Sequence, residues 1–132
     1  MTDNETLMAF RLREAEESLA DARTLLDNSG SLRTVINRSY YAAFYASLAF
    51  FIKFEVDVRT SKHAGIIALF DKEAVHSGKV AVEYSRILHR LFEARLESDY
   101  REFVQHTEEE ARSLLNMAER FVAVIKETAK TP

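Results

Sequence analysis

The sequence predicts an all-α fold, a single antiparallel up-and-down bundle of four to five helices over residues 1–132. Three observations carry that prediction. Only three Gly and one Pro occur in 132 residues, whereas hairpins and βα turns draw on these residues repeatedly. Apolar side chains recur at alternating steps of three and four. Two capping-box patterns, Thr2 with Glu5 and Thr107 with Glu110, mark helix starts near opposite ends of the chain.

The first helix runs from Thr2 to about Asp27, with Met8, Leu12, Ala15, Leu19, Ala22 and Leu26 on one stripe, and stops before Asn28-Ser29-Gly30. Ser31 then offers an N-cap for a second helix to about Glu55, the most apolar element. The period is lost over Val56 to Thr60, after which Ser61 can cap a short third helix carrying His63, Ile66, Ile67 and Phe70. Gly78 marks the next break. A fourth helix from about Val80 to Glu97 aligns Tyr84, Ile87, Leu88, Leu91, Phe92 and Arg95, and Ser98-Asp99 interrupts it. The last helix opens at Thr107, with Glu108, Glu109 and Glu110 in its first turn and Lys126 near its end, as the helix dipole favours.

Composition excludes several classes of function. The absence of Cys removes thiolate nucleophiles, Cys-ligated zinc and redox pairs, and gives no reason to expect an oxidising compartment, so the expected location is cytoplasmic. His and carboxylates never cluster at zinc-like spacing, so no metal or other cofactor is expected. A net charge of -3, from 18 basic and 21 acidic residues, does not describe a chain that coats duplex nucleic acid by counterion release. The first ten residues are acidic rather than basic, and the longest apolar stretch, Tyr40 to Ile52, falls short of about 20 residues, so neither a signal peptide nor a membrane span is expected.

The second helix is the informative one. Tyr41, Tyr45, Ala49 and Ile52 fall within about 60° of Arg38, which therefore shares an apolar face. The opposite sector, Ser39, Ala43, Ala46 and Phe50, is also small or apolar. Either this is the central helix or its second face binds another subunit, and a homodimer is a reasonable expectation.

The run Asn37-Arg38-Ser39-Tyr40-Tyr41-Ala42-Ala43-Phe44-Tyr45-Ala46, with Ser61-Lys62-His63-Ala64-Gly65 and Phe92-x-x-Arg95-x-x-x-Asp99-Tyr100, resembles the HEPN (higher eukaryotes and prokaryotes nucleotide-binding) domain family. Glu109-Glu110-Ala111 through Ala118-x-x-Phe121 is similar to the family's last helix, so the resemblance covers nearly the whole chain. It implies a helical, usually homodimeric domain, often encoded beside a minimal nucleotidyltransferase as a toxin and antitoxin pair. Many members are metal-independent ribonucleases that bring an Arg and a His together across the dimer interface.

Arg101 and His106, separated by four residues, match that signature in form and are the candidate catalytic pair. His106 would move a proton between the 2′-hydroxyl and the leaving oxygen, and Arg101 would stabilise charge on the phosphate. Residues five apart on one helix point about 140° from each other, so one site needs a break between them or two subunits. Glu108 stands two positions after His106, where some toxin members carry a Tyr that partner enzymes modify with AMP. The alternative is a non-catalytic HEPN module that binds nucleotide or supports a partner nucleotidyltransferase through Arg38, Lys62 and His63. For each of these residues a plainer role is also open. Arg38 can be a half-buried Arg held by a carboxylate, His63 a packed core His, Arg101 and His106 a surface pair, and Arg95 with Asp99 an intrachain ion pair.

Overall fold

The computed structural model describes residues 1–100 and 105–130, and at Tyr100 the backbone alone. These residues form α1 (Asp3–Asp27), α2 (Leu32–Lys53), α3 (His63–Phe70), a π-helical turn (Asp71–Val75), α4 (Val82–Tyr100) and α5 (Glu108–Ala129). No strand occurs among them.

The hydroxyls of Thr2 and Thr107 both cap their helices. Thr2 Oγ1 accepts from the Glu5 amide at 3.0 Å, and Thr107 Oγ1 from the Glu110 amide at 3.1 Å. Ser31 Oγ accepts from the Thr34 amide at the start of α2. The third helix starts differently from the expectation. Its N-cap position is Lys62, with no side-chain cap, and Thr60 Oγ1 rather than Ser61 takes the Lys62 amide. The fourth helix also runs on past Ser98-Asp99 to Tyr100, because Asp99 faces Arg95 one turn back and reinforces the helix instead of breaking it.

α1 and α2 end in the same way. The Gly30 amide donates to Leu25 O and the Ser29 amide to Leu26 O; after α2, the Val56 amide donates to Phe51 O and the Glu55 amide to Ile52 O. These are Schellman closures, and the left-handed residues in them are Ser29 (φ 56°) and Glu55 (φ 54°). Gly30 serves by its size, since a Cβ there would meet Leu25 Cδ2 at 2.7 Å.

α2 is the centre of the bundle, packed against α1, α4 and α5 and touching α3. Ser39, Ala43, Ala46 and Phe50 are all buried within the chain, so the all-round apolar character of α2 requires no second subunit at that sector. Its small residues let neighbouring helices approach, and the buried hydroxyls of Ser39 and Ser47 are satisfied by Val35 O and Ala43 O one turn earlier. A ladder of rings crosses the core, with Phe50 of α2 5.7 Å from Phe70 of α3 and Phe70 5.2 Å from Phe121 of α5. It ties the short α3, which begins with His63, to two long helices.

The π-helical turn is pinned to α4 by one carboxylate. Asp71 Oδ1 accepts from Ser85 Oγ at 2.6 Å, and Asp71 Oδ2 lies 2.6 Å from His89 Nε2. Gly65 sits where α3 meets the preceding loop, and a Cβ there would meet both Thr60 Cγ2 and Oγ1 at 2.7 Å. The lack of a side chain at Gly65 thus lets the loop lie close to the first turn of α3.

Candidate functional site

Three helices converge on two tyrosines. Tyr40, fully buried on α2, places its Oη 2.8 Å from Nδ1 of His63, the first residue of α3. The His63 ring stacks on Phe44, with centroids 4.4 Å apart and planes 17° from parallel, and lies edge-on to Tyr41. From α4, the Arg95 guanidinium carbon is 5.6 Å from the ring centroids of both Tyr40 and Tyr41. From α2, that of Arg38 is 5.1 Å from the Tyr41 centroid.

The charges here do not balance. Arg95 Nε donates to Asp99 at 3.1 Å, and Arg33 lies 3.7 Å from the same carboxylate. Arg38 has no carboxylate partner among the described residues. Its Nε and Nη2 donate to Oδ1 of the neutral Asn37 amide at 3.1 and 2.8 Å. Among the described residues the Tyr41 ring face and an amide oxygen, not a carboxylate, hold Arg38. The ion pair read from Arg95 and Asp99 is present. Lys62 is exposed and, beyond adjoining His63 in the chain, makes no side-chain hydrogen bond or ion pair among the described residues.

Burial, and then the positive charge of Arg95, lower the His63 pKa from its usual value. Burial drives the Tyr40 phenol far above its ordinary range, although Arg95 acts in the opposite direction. The phenol therefore stays protonated, and His63 favours the neutral form. A base whose pKa is lower in the folded state contributes stability that is present above its unfolded pKa, about 6.5, and is lost as pH falls below it. The denaturation midpoint should thus fall between pH 7 and pH 5, and His63→Gln should flatten part of that slope. An unchanged slope in the variant would show that His63 is not responsible.

His106 occupies a second corner, just before the N-cap of α5. Its side chain is 5% exposed, with Nδ1 3.0 Å from Glu110 Oε2 and Nε2 3.9 Å from Glu97 Oε2. Nε2 is buried and makes no hydrogen bond among the described residues. The Glu110 carboxyl is held below its usual range, first by the His106 hydrogen bond and, among smaller causes, by hydrogen bonds from Thr107. Arg101 lies outside the described residues, so His106 is the half of the candidate pair whose surroundings are known. The sequence reading gave no site role to Tyr40, Arg95, Glu97 or Glu110. The spacing of Glu110 four residues after His106 was a usable signal for one of them; that of Tyr40 to His63, 23 residues apart, was not.

The model of the HEPN domain matches residues 8–128. The chain belongs to the HEPN domain family. A UPF0332 protein of Thermotoga maritima is 36% identical over 126 residues, covering 96% of this chain and 93% of that protein. A relative from Methanocaldococcus jannaschii, bearing the name "Putative toxin", is 35% identical over 116 residues, covering 88% of this chain and 84% of its own. A UPF0332 protein of Gloeobacter violaceus is 30% identical over 114 residues. The resemblance read from the sequence is thus correct at the level of family and fold, and toxin-like names occur among the relatives. No helix among the described residues is long and apolar enough to cross a membrane.

Proposed function

We propose that this HEPN chain is the toxin component of a toxin–antitoxin-like pair. It acts in the cytoplasm as a homodimer beside a minimal nucleotidyltransferase, and cleaves RNA without a metal. The observation that carries the reading is the state of His106, an imidazole oriented at Nδ1 by Glu110, whose Nε2 makes no hydrogen bond among the described residues. An imidazole oriented on one nitrogen by a carboxylate can pass a proton through the other once substrate reaches it. In the reaction, His106 takes the proton of an RNA 2′-hydroxyl as its oxygen attacks the adjacent phosphorus, then delivers it to the departing 5′-oxygen. Arg101, from the same or the second subunit, stabilises the charge on the phosphate. The names of the relatives support the toxin role. Expression of the chain alone should arrest growth, and co-expression of the partner nucleotidyltransferase should relieve the arrest. Growth unaffected at high expression would reject the toxin role.

A second reading has its own supporting observation. Arg38, half-buried and without a carboxylate among the described residues, leaves positive charge available at the Tyr41 ring that His63 also meets, which supports a module that binds nucleotide through Arg38, Lys62 and His63. Nucleotide should then raise the melting temperature, because a ligand of the folded state stabilises it, and Arg38→Ala should weaken the effect. A flat response up to millimolar nucleotide rejects this reading.

A further inference from the structure

We infer that Arg95 joins Arg38 and His63 in binding one phosphate group, and that Tyr40 is the positioning residue that makes His63 an Nε2–H donor to that phosphate. The inference rests on the second reading above, that the Arg38 and His63 region takes a phosphate.

Tyr40 is fully buried, and a buried hydroxyl proton needs an acceptor. Among the described residues the only partner of Tyr40 Oη is His63 Nδ1, at 2.8 Å. The phenol therefore donates and Nδ1 accepts. A neutral imidazole that accepts at Nδ1 carries its proton at Nε2, and Nε2 of His63 makes no hydrogen bond among the described residues. Stacking on Phe44 and edge contact with Tyr41 fix the ring plane, so the direction of that N–H is set before a ligand arrives.

Arg95 enters through the shared rings. It and Arg38 both approach the Tyr41 ring, at 5.6 and 5.1 Å, and Arg95 also covers Tyr40. Two guanidiniums drawn to one ring repel each other, and the nearby Asp99 is already divided between Arg95 and Arg33. A phosphate met by both guanidiniums relieves that repulsion and offers each a charge-assisted bond. The neutral state of His63 fits this crowded setting, since a donor without charge adds a hydrogen bond and no further repulsion.

Imidazole nitrogen NMR of the full chain reads the tautomer directly, and titration with inorganic phosphate, AMP and a short single-stranded RNA reads the ligand. The wild type should show His63 with its proton on Nε2. Tyr40→Phe, which keeps the ring in the core, should give a mixture of tautomers and weaken phosphate or AMP binding about tenfold. Arg95→Gln should weaken it at least as much without altering the tautomer. AMP bound more tightly than RNA points to a free nucleotide, and the reverse points to an RNA phosphate. A wild-type proton on Nδ1, or an unchanged tautomer in Tyr40→Phe, overturns the positioning role. Full affinity in Arg95→Gln overturns the Arg95 assignment. If no probe binds the wild type, the phosphate reading itself fails, and the tautomer still reports on Tyr40.

Discussion

His106→Ala should lower the proposed metal-free RNA cleavage by about 10²–10⁴-fold, the usual contribution of a positioned proton-transfer group. The folded bundle should survive the change, with a melting temperature within about 5 °C of the wild type. His106 belongs to the short connection between α4 and α5, and its only hydrogen bond among the described residues is the one to Glu110. Removing the ring leaves Glu110 still bonded to Thr107 at the helix cap. Loss of activity with the fold retained therefore separates chemistry from structure. Glu110→Gln keeps the shape of the orienting group without its charge, and should cost less than His106→Ala. A His106→Ala protein that cleaves at the wild-type rate would remove His106 from the mechanism, and the proton carrier would have to be sought elsewhere.

Phe70→Ala has the largest expected effect on stability. Phe70 is fully buried and is the last residue of α3, between Phe50 of α2 and Phe121 of α5. Truncating a buried Phe to Ala typically costs about 3–5 kcal/mol through lost transfer energy and the cavity left behind. Domains of this size have about 5–15 kcal/mol in total, so the variant should approach the threshold of unfolding. Because α3 begins with His63, loosening its end should also free the His63 ring. The Tyr40 hydrogen bond should then weaken before global unfolding, visible as altered His63 NMR signals at low denaturant. A loss below about 1 kcal/mol in urea melts would show that α3 is not anchored through this ladder.

Much of the fold was legible because it depends on local rules. Thr2-x-x-Glu5, Ser31 and Thr107-x-x-Glu110 cap helices through bonds spanning three residues, and the three-and-four stripe marks each buried face. Asp99 misled, because Ser and Asp often break helices when considered alone, yet its side chain pairs with Arg95 one turn away and Arg33 on α2. Ser61 misled in a similar way, since the backbone let Thr60 reach the Lys62 amide first. Gly30 was correctly placed at a helix end for an incomplete reason, because the strained position is Ser29 and the glycine supplies room.

The site was legible in its members more than in its connections. Arg38 and His63 stand in motifs that can be seen in the sequence, and the structure brings both to the Tyr41 ring. What decides the chemistry is long-range. The Tyr40 bond to His63 joins α2 to α3 across a loop, and Arg95 reaches the rings from α4. No helical periodicity encodes such a meeting; it follows from how the helices pack. A carboxylate on Arg38 is what the cost of burying an unpaired charge suggests, but among the described residues the Tyr41 ring and the Asn37 amide hold it, with the residue only half-buried.

The central claim is that this HEPN chain cuts RNA through its own side chains. The most direct measurement is the product formed when purified wild-type protein is incubated with single-stranded RNA in excess chelator. Attack by the 2′-oxygen, with the proton passed to the 5′-oxygen, predicts fragments ending in a 2′,3′-cyclic phosphate and beginning with a 5′-hydroxyl, and their loss in Arg101→Ala and His106→Ala. RNA left intact by the wild-type protein, or cut only after a divalent metal is added, would contradict it.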